Sequence, residues 1–142
     1  MRELSIIGAL LLVGCGQGDS ASCPTAVSMQ TVQTQVFDGC ASSGNYGGCH
    51  SAAPFGANLN LTSGQAYGYL LHAPSNSSPG KWRVEPGDLS QSFLWHKLTN
   101  AIAKDNSEGV PMPRSTVDQW APLSDGQLEA VRCWIAGGAR AE

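Results

Sequence analysis

The segment from Leu123 to Gly138 constrains this chain most, because it specifies a helix from its first hydrogen bond to its last. Ser124 and Gln127 have the spacing of a capping box. In that motif the serine oxygen takes the N3 amide and the glutamine side chain reaches back to the serine amide. Leu123 and Leu128 stand where a hydrophobic staple would join. Leu128, Val131, Trp134 and Ile135 recur at helical spacing as one buried stripe, and Gly137-Gly138 stop it. Three further helices read less sharply. One runs from about Val27 to Gly39, with Val32, Val36, Phe37 and Cys40 on one side. One follows Thr62-Ser63 and carries Ala66, Tyr67, Leu70 and Leu71. One starts near Ser90 and carries Phe93, Leu94, Trp95 and Leu98. Regular polar–apolar alternation is scarce, and the connections are long and rich in Gly, Pro, Ser and Asn. The expected fold is therefore all-α: a small domain of about four short helices joined by long loops. The tryptophans Trp82, Trp95, Trp120 and Trp134 read as core packing.

The chain begins with a positive charge at Arg2 and an apolar run from Leu4 to Val13. That run is far shorter than the ~20 apolar residues that span a bilayer, so it reads as the core of a secretion signal. It ends in Leu12-Val13-Gly14-Cys15, which resembles the lipobox of bacterial lipoproteins. The expected division is a signal peptide over 1–14, a flexible tether over 15–26 and one domain over 27–142. Cys15 is then the lipidated N-terminus, holding the protein to a membrane of the cell envelope on its periplasmic or surface side. Outside the cytoplasm disulfides persist. With Cys15 given to lipid, Cys23, Cys40, Cys49 and Cys133 remain, an even set. The net charge of −3 and the absence of a basic run argue against nucleic acid as a partner. There is no Gly-x-Ser-x-Gly elbow, no His-Glu-x-x-His and no dense carboxylate cluster, so no enzyme site emerges.

The chemistry concentrates in Cys40-Ala-Ser-Ser-Gly-Asn-Tyr-Gly-Gly-Cys49-His50. Covalent haem attachment needs two thiols for the two vinyl groups, and an imidazole just after the second thiol to bind iron. The common spacing is Cys-x-x-Cys-His; here eight residues separate the cysteines. The insert is Ser, Gly and Asn in character and can bulge outward while its ends approach, since closure entropy grows slowly with length. A haem with histidine on one face commonly takes methionine on the other. Met112 lies in Val110-Pro111-Met112-Pro113, where flanking prolines stiffen the backbone upstream of the last helix. The same residues have a plainer reading. Cys40 and Cys49 as a disulfide would close a short loop and add about 2.5–3 kcal/mol. Met112 would then be a core plug. His72 and His96 are substitute iron ligands in principle, but read better as solvated positions. Lys81, Trp82 and Arg83 could face haem propionates or form an ordinary charged loop.

From Val36 to Ala139 the chain resembles the planctomycete-type cytochrome c-like domain, a single-haem group of the class I cytochromes c. The matching stretches are Cys49-His50, Ala57-Asn58-Leu59-Asn60-Leu61, Val84-Glu85-Pro86-Gly87-Asp88-Leu89-Ser90-Gln91-Ser92, Pro111-Met112-Pro113, and Leu123-Ser124 with Trp134-Ile135-Ala136-Gly137-Gly138-Ala139. The resemblance implies a small helical domain around one haem c. His50 would be the proximal ligand, Met112 the distal one, and Cys40 and Cys49 the thioether anchors. The terminal helices touch in that fold, which would pair Cys23 with Cys133; other pairings of the four cysteines stay open. With both axial positions filled, the implied function is single-electron transfer to and from a redox partner protein. The alternative is a haem-free, disulfide-stapled module with a binding or structural role at the cell surface.

Overall fold

The computed structural model describes residues 23, 26–41, 49–51, 58–115 and 119–142. Residues 1–14, read above as a signal peptide, Cys15 and residues 42–48 fall outside the described residues. The regular structure is helical. In chain order it comprises α1 (Met29–Val32), a π-helical turn (Gln33–Phe37), α2 (Asp38–Ala41), α3 (Ala66–Leu70), α4 (Phe93–Leu98) and α5 (Asp125–Ala136). Among the described residues there is no strand, only isolated bridge pairs such as Leu71 with Val84. Among these residues, too, no helix is long and apolar enough to cross a membrane.

α5 forms as its sequence dictates. The Ser124 side chain accepts from the Gln127 amide, and the Gln127 side chain accepts from the Ser124 amide. At the other end Gly138 turns left-handed at φ 94°. Its amide donates to Ile135 O at 3.0 Å, and the Ala139 amide donates to Trp134 O at 2.8 Å. This is a Schellman closure: two carbonyls that the helix could not satisfy gain partners. Val131, Trp134, Ile135 and Ala139 are fully buried.

α1, the π-turn and α2 run on without a break and pack Val32, Val36 and Phe37 against that stripe. Phe37 meets Trp134 edge to face, with ring centroids 6.4 Å apart. The π-turn was not visible in the apolar spacing. The Gln127 side chain also donates to Gln35 O at 2.6 Å, tying this widened turn to the start of α5. Gln33 is buried but satisfied, donating to Asp38 Oδ1 and to Leu61 O. The disulfide Cys23–Cys133 joins the segment before α1 to α5, with Cα atoms 5.5 Å apart. It anchors the chain at Cys23, inside the span read as a tether.

α3 and α4 are shorter than the apolar pattern suggests. Leu71 leaves α3 with extended backbone, and α4 begins at Phe93 after Ser92. α3 stops where its last carbonyl, Leu70 O, accepts the Val84 amide at 3.2 Å and Leu71 pairs with Val84, and the turn over Glu85–Ser92 delays α4. Asp88 Oδ1 accepts from the Ser90 and Gln91 amides, and buried Ser92 Oγ bonds Glu85 and Asp88 carbonyls. These side chains make a compact non-helical turn preferable to an earlier helix start. The Gly87 amide then docks the turn on Ile135 O at 2.8 Å. The first amides of α4 are satisfied from elsewhere: Phe93 donates to Trp82 O and Leu94 to Arg83 O, both at 2.9 Å. Two tryptophans depart from the core expectation. Trp134 is buried and Trp95 packs against the core, but Trp82 and Trp120 are exposed. Trp120 stays at the surface because its indole N–H donates to Met112 O at 3.0 Å.

Candidate functional site

Cys40, Cys49, His50 and Met112, the four residues singled out for a cofactor, all line one cavity of about 550 Å³. That size lies within the ordinary range of small-molecule and cofactor sites. Four segments supply most of its apolar wall. The π-turn and α2 contribute Val36, Phe37 and Cys40. The segment after His50 contributes Leu59 and Leu61. α4 contributes Phe93, Leu94, Lys97 and Leu98, and the loop before α5 contributes Met112 and Pro113. The lining is divided by chemistry. Leucines, valine and phenylalanines form apolar walls, while Ser75, Asn76, Ser77, Arg83, Arg114 and Ser115 supply polar and cationic groups.

His50 is held by its own backbone neighbours. Its carbonyl accepts the Leu61 amide at 2.8 Å, and its Nδ1 lies 3.2 Å from Leu59 O. A carbonyl only accepts, so this contact places the proton on Nδ1 and the lone pair on Nε2. Metal-binding histidines are oriented by the same kind of bond. The stretch Asn58–Leu61 thus positions the imidazole.

Cys40 is half-buried, and its thiol pKa is pushed up to about 11, first by burial and then by the charge of Cys49. It is therefore a neutral thiol at neutral pH. Cys23 and Cys133 are joined to each other, so Cys40 and Cys49 are left as the thiol pair at the cavity.

Met112 is gripped on both sides of its backbone. Its amide donates to Lys97 O at 3.0 Å and its carbonyl accepts from Trp120. Pairing continues beyond it, with the Ala121 amide on Pro113 O at 2.9 Å. The Lys97 ammonium donates to Glu108 O at 2.6 Å and Val110 O at 2.8 Å, and sits 5.3 Å from the Phe93 ring centroid. Burial lowers the Lys97 pKa, and the Glu108 charge opposes that.

Arg83 bridges two walls by donating to Tyr69 O at 2.8 Å and Asn58 O at 3.1 Å. The two other histidines do not line this cavity. His72 is exposed with φ 52°, and His96 Nδ1 lies 2.8 Å from Lys81 Nζ. A lysine ammonium only donates, so His96 accepts as a neutral ring. Its pKa is lowered by burial and by Lys81, against the charge of Glu108.

Sequence reasoning missed Lys97. The only available signals were its place four residues after Phe93 and the Gly109 that makes room for it. Cys23, Glu129 and Cys133 also lie close together, but both sulfurs belong to the disulfide. No protein-family model, curated protein or solved structure matches the chain.

Proposed function

We propose that this chain is a membrane-tethered, monohaem c-type electron-transfer protein with a cytochrome c-like fold. One observation carries the reading: two thiols, an oriented imidazole and a thioether, drawn from distant segments, line the same apolar-walled cavity. The donor set fits haem c. His50 would bind iron through Nε2 and Met112 through sulfur. Cys40 and Cys49 would form the thioether bonds. The apolar walls suit a flat macrocycle and exclude water from it, while the polar and cationic lining suits its carboxylates. When bound, the haem supplies a one-electron couple. The protein's part would be to hold His50 and Met112 as donors to the iron, a pair that would give a higher potential than two nitrogen ligands. Lipid on Cys15 would keep the carrier at the envelope near its redox partner.

The test is maturation of the full chain in a host with c-type haem machinery. The purified protein should keep a porphyrin mass after denaturation. Its oxidised form should show a weak sulfur-to-iron charge-transfer band in the far red. Met112→Ala should abolish that band while the haem stays attached. A colourless protein with Cys40 joined to Cys49 would overturn the reading in favour of a haem-free module. Release of Cys15→Ser protein from the membrane fraction checks the anchor.

A further inference from the structure

We infer that Lys97 is a positioning residue that fixes Met112 in the cavity wall, an inference that rests on the proposed haem reading for its redox consequence. Three contacts to one loop originate at this residue. Its ammonium bonds Glu108 O and Val110 O, and its own carbonyl receives the Met112 amide. The loop between α4 and Met112 has no helix or strand of its own, so these bonds hold Met112 from the α4 side, as the Trp120 indole does from the other. Bonds from an ammonium to carbonyls are charge-assisted, and their partly buried setting strengthens them. The Phe93 ring, one helical turn earlier, supports the cation from the other side.

Gly109 completes the device. It adopts φ 77°, a left-handed conformation that strains other residues, and a Cβ there would stand 3.0 Å from Lys97 Nζ. Glycine at position 109 thus avoids both the backbone strain and the crowding of the ammonium that a side chain would bring. Lys97 and Met112 both line the cavity, so this staple and the sulfur it places share one wall.

The experiment compares Lys97→Gln, Gly109→Ala and Lys104→Gln in the full, haem-matured chain. Lys104 is an exposed lysine of the same loop, and its removal controls for the loss of one charge. Lys97→Gln is expected to keep its haem, lose the far-red sulfur-to-iron band and show a lower potential. Its Met112 amide should exchange with solvent at least about tenfold faster. Gly109→Ala should show weaker versions of the same changes, and it decides the matter alone if Lys97→Gln does not fold. Band, potential and exchange rate indistinguishable from Lys104→Gln would overturn the inference. A colourless wild type would instead remove the haem reading, and the Met112 exchange rates in the same variants would still decide whether Lys97 holds the loop.

Discussion

Between α1–α2 and α5 the contacts are mainly apolar. The connection from Leu71 to Ala121 adds Val84 and Leu98 to that core, but its loops are held largely by polar groups that bond distant backbone carbonyls. The first region buries Val32, Phe37, Val131, Trp134 and Ile135 almost completely and is closed by a disulfide. In the second, Arg83, Lys97 and Trp120 each secure a piece of loop. Burial is additive and non-directional, so it supplies the stability of the whole domain. A bond from a side chain to a chosen carbonyl adds little net stability but fixes geometry. The contrast suggests a division in which the ends keep the domain folded and the middle places side chains such as Lys97 and Met112 in the cavity wall.

The largest effect that could break this comparison lies at Cys23–Cys133. The two cysteines are 110 residues apart, and for a loop of that size the chain-entropy relation gives about 4–5 kcal/mol. Replacing both with serine should lower unfolding free energy by that order in urea titration. A loss under about 1 kcal/mol would mean the terminal helices hold each other without the bond. Next comes Trp134→Ala, which empties the centre of the apolar region and should cost about 3–5 kcal/mol in the same titration. Loss of no more than an exposed residue's worth would move the core elsewhere.

The smallest effect belongs to the middle. His96 titrates below the ordinary imidazole value because of burial and the adjacent Lys81 ammonium, with Glu108 pulling the other way. Its folded pKa is thus lower than its unfolded one, so the unfolded chain binds more protons in the window between them. The contribution of His96 is present above the unfolded value near 6.5 and is lost as pH falls through the folded value. Unfolding titrations between pH 7.5 and 5 should show this slight decline, and His96→Gln should remove it. A decline as large as the disulfide's contribution would show that the middle also carries global stability.

This division tracks what was legible in the sequence. The α5 helix could be read residue by residue, because capping and stripe signals lie within a few positions of each other: Ser124 with Gln127, Leu128 with Val131 and Trp134. The chemistry of Cys49-His50 and the proline-flanked Met112 was legible as a motif, and the structure brings these residues to one cavity with Cys40. Lys97, Arg83 and Trp120 were not legible in the same way. Each acts on a carbonyl, a group every residue carries, so their partners leave no mark in the sequence. The exposed position of Trp120 is the clearest case: its apolar bulk argued for the core, and one distant carbonyl outweighed it. The early end of α3 was hidden for the same reason, since Leu70 O takes the distant Val84 amide, and the late start of α4 because a turn bonded through Asp88 and Ser92 replaced helix that the apolar spacing allowed.

Among these unannounced features, the π-turn at Gln33–Phe37 changes what the first helix can lose. A π-turn holds about one residue more than the α-turn it replaces, and each helical residue rotates the chain by about 100°. The Asp38 amide bonds Gln33 O, so α2 resumes as though the surplus residue had never been inserted. Counted along an unbroken α-helix, Cys40 would point about 80° away from Val32; with one residue absorbed, the two align within about 20°. The helix behaves as a shorter one carrying a passenger. Deleting one residue, the exposed Thr34, would relax the turn to ordinary helix and leave the Cys40 thiol facing the cavity. The same deletion inside α5 would swing everything beyond it by about 100°, Trp134 included. Two deletions of equal length thus have opposite meanings: one discards slack, and the other turns the core inside out.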